Sequence, residues 1–179
     1  MVYVFLGTGF EETEAIAPID LLRRAGIPVL TVGLNGKTVV GGHGIGVVAD
    51  ITPEEMDLTD LEMVVLPGGL GGVASIRASS QAMDAIRFAH ENGKYTAAIC
   101  AGPTVLGDLG ITEGKRCVCY PGCEGGCPGA QIQADAACAD GKLITGTSAG
   151  CAVAFGLKLI EVLKGEEAAR AVEKQIVIR

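Results

Sequence analysis

Ala97-Ala98-Ile99-Cys100-Ala101-Gly102-Pro103 decides the fold of this chain. A strand-forming run, Tyr95 to Ile99, delivers one cysteine to a corner made of Ala101 and Gly102, and Pro103 follows. This is how a strand-to-helix elbow is written. The bend forces one residue into a sparsely populated backbone region, and its neighbours stay small so that the chain can turn. Pro103 suits the first turn of a helix, where its missing N–H costs nothing. Cys100 then stands at the carboxyl end of a strand and the amino end of a helix. There the helix partial charge favours thiolate, so its pKa is expected to fall. The competing assignment, a buried core cysteine, explains neither the small neighbours nor the proline.

Working outward, the same grammar recurs. Val2 to Gly7 is an apolar run of strand length, and Glu11-Glu12-Thr13-Glu14 opens a helix with acidic residues in its first turn. Ala15, Ile19 and Leu22, with Ile16 adjoining, form the apolar face of that helix, and Gly26 ends it before a second strand at Ile27–Val32. A β-α-β opening implies a right-handed crossover and a parallel sheet. Residues 35–48, with Asn35-Gly36 and Gly41-Gly42-His43-Gly44, read as a small antiparallel hairpin at a sheet edge. Met63–Leu66 is another crossover strand, and it ends in the glycine-rich loop Pro67 to Gly72. No Gly-Lys-Ser/Thr follows, so that loop is not a phosphate loop. Residues 81–92 are helical, with Met83, Ile86, Phe88 and Ala89 as the buried stripe. Arg116–Tyr120, Gln131–Asp135 and Lys142–Thr145 read as short strands, with Asp140-Gly141 as a turn. A helix follows at Ala149–Leu163, then a shorter one from Glu166 and an apolar tail. The expectation is one α/β domain over residues 1–179.

Composition narrows the function. A net charge of −7 opposes binding to nucleic-acid phosphates and anionic membranes. An aromatic content of 4% without tryptophan leaves little to stack on bases. No apolar run approaches the roughly 20 residues needed to span a bilayer. The opening Met-Val-Tyr-Val-Phe-Leu lacks a basic leader and reads as a strand. Seven cysteines, an odd count, fit thiols in a reducing, cytoplasmic setting better than a disulfide framework.

In an open α/β sheet ligands collect beyond the carboxyl ends of the strands. Gly7–Glu14, Pro67–Gly72 and Cys100-Ala101 all end there, which gathers a nucleophile, a glycine turn and an acidic helix start around one crevice. Glu11 and Glu14 share a helix face, so either could point inward. A carboxyl kept protonated by burial would hydrogen-bond to the thiolate. The plain alternative for these glutamates is charge placement at a helix start. His43, among glycines, and His90, late in a polar helix, are expected to be solvent-exposed.

Gly9-Phe10-Glu11-Glu12-Thr13-Glu14, Asp20 to Gly26, Val64-Val65-Leu66-Pro67-Gly68-Gly69 and Ala97 to Pro103 stand together in one order. On these stretches the chain resembles the DJ-1/ThiJ/PfpI superfamily, on its DJ-1-like branch. The resemblance implies a flavodoxin-like three-layer sandwich with a mostly parallel sheet, and a homodimer. It implies Cys100 as nucleophile and oxidation-sensitive thiol, and Glu14 as the buried acid sharing its proton. Gly69 and Ala101 become the oxyanion-hole donors. Three departures matter. Tyr120-Pro121 stands where many members carry a histidine, and Tyr120 is no substitute base at neutral pH because a phenol holds its proton there. Ala101 replaces the histidine of the protease-like branch, which argues against peptidase activity. The family's Ser-Arg pair is also absent from Gly146-Thr147-Ser148.

Cys117, Cys119, Cys123 and Cys127 are spaced C-x-C-x3-C-x3-C, with Cys138 and Cys151 beyond. Paired C-x2-C units are missing, so neither metal nor cofactor is expected. Cys123 and Cys127 are candidate resolving thiols for an oxidised Cys100. Glu11, Tyr120, Cys119 and Cys123 are candidate accessory residues. The function implied is cysteine-dependent glyoxalase or deglycase chemistry on small reactive carbonyl compounds. The alternatives are a non-enzymatic redox sensor and a chaperone-like dimer.

Overall fold

The computed structural model describes residues 1–178. The elements are β1 (Val2–Leu6), α1 (Glu12–Arg24), β2 (Val29–Gly33), β3 (Thr38–Val40), β4 (Gly46–Val48), β5 (Met63–Leu66), α2 (Leu70–Ala78) and α3 (Ser80–Glu91). They continue as β6 (Tyr95–Ile99), α4 (Pro103–Asp108), β7 (Arg116–Cys117), β8 (Gln131–Ile132), β9 (Ala137–Asp140), β10 (Leu143–Gly146), α5 (Ala152–Lys164) and α6 (Glu166–Gln175). The central sheet runs β2-β1-β5-β6-β10-β9. Its strands are parallel except β9, which is antiparallel to β10.

Period-two alternation sorts the strand side chains into two cores. Val2, Val4, Leu6, Met63, Val65, Ala97 and Ile99 face α1, α5 and α6. Tyr3, Phe5, Val64, Leu66 and Ala98 face α2, α3 and α4. Both sheet faces are covered, so the strands read as unbroken apolar runs. The α/β three-layer sandwich expected from the sequence is present.

Several local expectations are corrected. Ile16 is 42% exposed, because the buried stripe of α1 centres on Ala15, Ile19 and Leu22, and residue 16 lies to one side. In α3 the small residues Ala82, Ala85 and Ala89 carry the buried face with Ile86, while Met83 and Phe88 are only partly buried. Helix α2 begins inside what reads as a glycine loop. Its glycines hide it from propensity, yet they allow contact: a Cβ on Gly72 would lie 2.7 Å from Phe10 Cα. The hairpin β3–β4 forms its own two-stranded sheet instead of extending the main one. It is tied to the loop before α1 by Gly9 N–H to Val40 O at 2.8 Å and Gly42 N–H to Phe10 O at 2.7 Å.

The strand expected at Arg116–Tyr120 stops at Cys117, because the Val118 N–H turns aside to Thr145 Oγ1 at 2.9 Å. That expected at Gln131–Asp135 shrinks to β8, which pairs with β7. The partner of β10 across Asp140-Gly141 is instead β9. Among the described residues no helix is long and apolar enough to cross a membrane.

Candidate active site

β6 ends at Ile99, and Cys100 takes φ +64°, the left-handed conformation that side chains disfavour. Surrounding bonds hold it there. Its N–H donates to Gly146 O at 2.9 Å, its carbonyl accepts from Tyr120 N–H at 2.9 Å, and Gly102 N–H closes the turn on Ile99 O at 2.9 Å. The elbow is thus a strained corner clamped from β10 and from the loop after β7.

Glu14 comes from the first turn of α1 and is 1% exposed. Its Oε2 accepts the Gly68 N–H at 2.9 Å, and its carboxyl lies beside the Cys100 thiol and the Ala149 N–H. Gly68 makes the approach possible. A Cβ there would sit 2.7 Å from Cys100 Cβ and against Glu14 Oε2. Glu11 caps the helix, its carboxylate accepting the Glu14 N–H at 2.7 Å, and its own N–H binds Gly68 O at 3.0 Å.

The electrostatics reverse one expectation. Cys100 is pushed up to about 12, first by burial and then by the neighbouring Glu14, against a smaller downward pull from the Ala101 N–H. Burial raises Glu14 as well, with hydrogen bonds from Cys100 and the backbone opposing. A six-residue α4 offers too little dipole to offset a buried carboxylate at contact distance. Both acids hold their protons more tightly than usual, and the chemistry available to the pair is proton transfer between sulfur and oxygen.

The pair opens into a cavity of about 640 Å³. Glu11, Gly69, Ala101, Tyr120 and Cys123 all line it, so the candidate residues other than Cys119 and Cys127 converge on one space. Among the described residues the N–H groups of Gly69 and Ala101 bond no backbone carbonyl. Tyr120 is half exposed on the wall, and Cys119 is buried behind it. Ser148, Ala149 and Gly150 close the far side. Ser148 ends the segment where the family's Ser-Arg pair is missing, while Ala149 and Gly150 went unsuggested by any motif; their place after β10, at the carboxyl edge of the sheet, is the available cue.

His43 is exposed, as expected, yet it stands at the cavity rim. It is bound to Glu12, Nδ1 to carboxylate at 2.8 Å and N–H to carboxylate at 2.7 Å. Ligand atoms of Glu11, Glu12 and His43 lie within 4.8 Å of one another. Glu12 and Glu11 already spend oxygens on His43 and on the helix cap.

The chain matches the DJ-1/PfpI family over residues 1–162. It belongs to that family. The DJ-1/PfpI assignment is supported by a Drosophila melanogaster relative, protein dj-1beta, 37% identical over 98% of this chain and 95% of the relative. The structure of oxidised Toxoplasma gondii DJ-1 superposes with a TM-score of 0.94 at 31% identity, covering 98% of this chain and 97% of that one. A Pyrococcus abyssi relative named as a deglycase is 31% identical over 68% of this chain and 72% of its own length. The resemblance read from Gly9–Glu14, Val64–Gly69 and Ala97–Pro103 is therefore a family relationship.

Proposed function

We propose that this DJ-1/PfpI protein is a cysteine-dependent enzyme acting on small reactive carbonyl compounds. The observation that carries this reading is the contact between a strained Cys100 and a buried Glu14, beside two backbone N–H groups in a cavity. With a 2-oxoaldehyde, the Cys100 sulfur adds to the aldehyde carbon while its proton passes to Glu14. The developing alkoxide faces the N–H groups of Gly69 and Ala101. Glu14 returns that proton to the alkoxide, then takes the proton from that carbon and delivers it to the neighbouring one through an enediol, giving a thioester. Water cleaves the thioester, restores the thiol and releases a 2-hydroxy acid, so methylglyoxal and water become lactate. Early glycation adducts present the same class of carbon. The deglycase name of the Pyrococcus relative supports this substrate class.

The test is lactate formation from methylglyoxal by the wild type, Cys100→Ser and Glu14→Gln. The reading requires lactate from the wild type and background from both variants. Lactate that persists in Cys100→Ser would overturn it. With tyrosine where many members have histidine, turnover is expected to be slow.

A second reading, oxidation sensing at Cys100, is favoured by the oxidised state of the Toxoplasma structure and by the incomplete burial of this thiol. We further infer a homodimer and a reducing, cytoplasmic setting. Exposed Ile16 and Val48 beside the hairpin, and seven unpaired thiols, support these two inferences.

A further inference from the structure

Cys123 has two neighbourhoods. On one side it lines the cavity that holds Cys100. On the other it packs against a small cluster of buried side chains made of Cys117, Cys119 and Cys127. Within that cluster the Cys127 thiol hydrogen-bonds to both Cys117 and Cys119. The Cys123 segment is also anchored to the nucleophile's main chain: Cys123 N–H binds Tyr120 O, and Tyr120 N–H binds Cys100 O, each at 2.9 Å. Gly122 and Gly125 flank it in open surroundings, so the segment has room to move toward Cys100. An ordinary apolar plug has no need of sulfur. Here sulfur runs without interruption from the cavity into the interior.

We propose that Cys123 resolves oxidised Cys100 and passes the disulfide to the thiols behind it, making the protein a reductant of hydroperoxides. The proposal rests on Cys100 being the reactive thiol, as in the function proposed above. The Cys100 sulfur attacks the outer oxygen of a hydroperoxide, the O–O bond breaks, and an alcohol or water leaves with the proton held by Glu14. Cys100 is then a sulfenic acid, oxidised by the two electrons that reduced the peroxide. The Cys123 sulfur attacks that sulfur, an S–S bond forms, and hydroxide leaves as water with the Cys123 proton. Cys119 next attacks the Cys123 sulfur, which frees Cys100 as a thiol and leaves the disulfide inside the cluster. A dithiol reductant resets the cluster.

The experiment is graded hydrogen peroxide on the full chain, alkylation of free thiols and peptide mapping without reductant. Trypsin cuts after Lys94, Arg116 and Lys142, so Cys100 falls on a different peptide from Cys117, Cys119, Cys123 and Cys127. The wild type is expected to show a disulfide within the second peptide and little sulfinic acid on Cys100. Cys119→Ser is expected to trap the two peptides linked through Cys100 and Cys123. Cys123→Ser is expected to lose that link and to drive Cys100 to sulfinic acid, while Cys151→Ser, a control outside the cavity lining, behaves as wild type. Circular dichroism confirms that each variant is folded. Equal sulfinic acid in wild type and Cys123→Ser, with no linked or internal disulfide, overturns the proposal. If lactate is still made, that result spares the carbonyl reading. A Cys100 inert to both peroxide and methylglyoxal sinks both.

Discussion

The Gly68 N–H donates a 2.9 Å hydrogen bond to Glu14 Oε2, joining the loop after β5 to the first turn of α1 directly beneath Cys100. One bond therefore fixes both the acid and the strand end beside Gly69, which lines the cavity. Glu14→Gln keeps an oxygen for that N–H but cannot take or return a proton. The expected outcome is a folded protein whose kcat/KM for methylglyoxal falls by about 10²–10⁴, the usual range for a lost acid-base group. Steady-state kinetics with a thermal melt checks it, and a fall under threefold would show that Glu14 carries no proton.

Gly68→Ala tests space instead of charge. The new methyl would meet Cys100 Cβ at 2.7 Å and Cys100 Sγ at 3.1 Å, and press on Glu14. Overpacking of this kind costs on the order of 1–3 kcal/mol. A lower Tm is expected together with near-complete loss of turnover. Full activity with an unchanged Tm would contradict the described approach.

Alkaline pH is expected to weaken the fold. Burial leads the rise of Cys100 to about 12 and of Cys119 to about 11. Cys127 is raised first by its hydrogen bond to Cys117 and then by burial, and Cys138 by burial. Cys117 moves down, through its bond to Cys127, and opposes them. A raised thiol keeps its proton in the fold where the unfolded chain releases it, so unfolding gains as pH rises. The net contribution is whole below the ordinary thiol pKa of about 8.5. It is lost as the folded thiols titrate near 11 to 12. Urea midpoints from pH 7 to 11 should fall, and less steeply in Cys119→Ala.

His43 is raised above its ordinary pKa by its hydrogen bond to Glu12 and then by that carboxylate's charge. Glu12→Gln removes the charge, so the His43 pKa is expected to drop, as read by NMR titration of the ring protons. An unmoved titration would mean that the hairpin turn does not hold His43 against α1 in solution.

The elbow and its acid were legible because each lies where a strand pattern breaks into small residues or opens a helix: Ile99-Cys100-Ala101 and Phe10 to Glu14. Their pKa was not. The helix start is visible in Pro103, but burial first, and then the acid arriving from residue 14, override it, and neither leaves a local mark in the sequence. Helix α2 was hidden by Gly71 and Gly72, whose value is the room they leave for the backbone of Gly9 and for Phe10. The shortness of β7 depends on Thr145 capturing the Val118 N–H, a contact between distant segments. The spacing of Cys117, Cys119 and Cys127 likewise said nothing of their mutual contact, which the turn at residues 120–126 creates.

With both main-chain groups of Cys100 tied, to Gly146 and Tyr120, the corner behaves as a rigid mount. Any atom attached to the sulfur must be accommodated by rotation about the Cα–Cβ bond, because the peptide planes have nowhere to go. A change at the thiol is therefore taken up by the side chain and by the cavity wall facing it, while the corner itself stays put. The register of the sheet beneath carries no trace of which state is present.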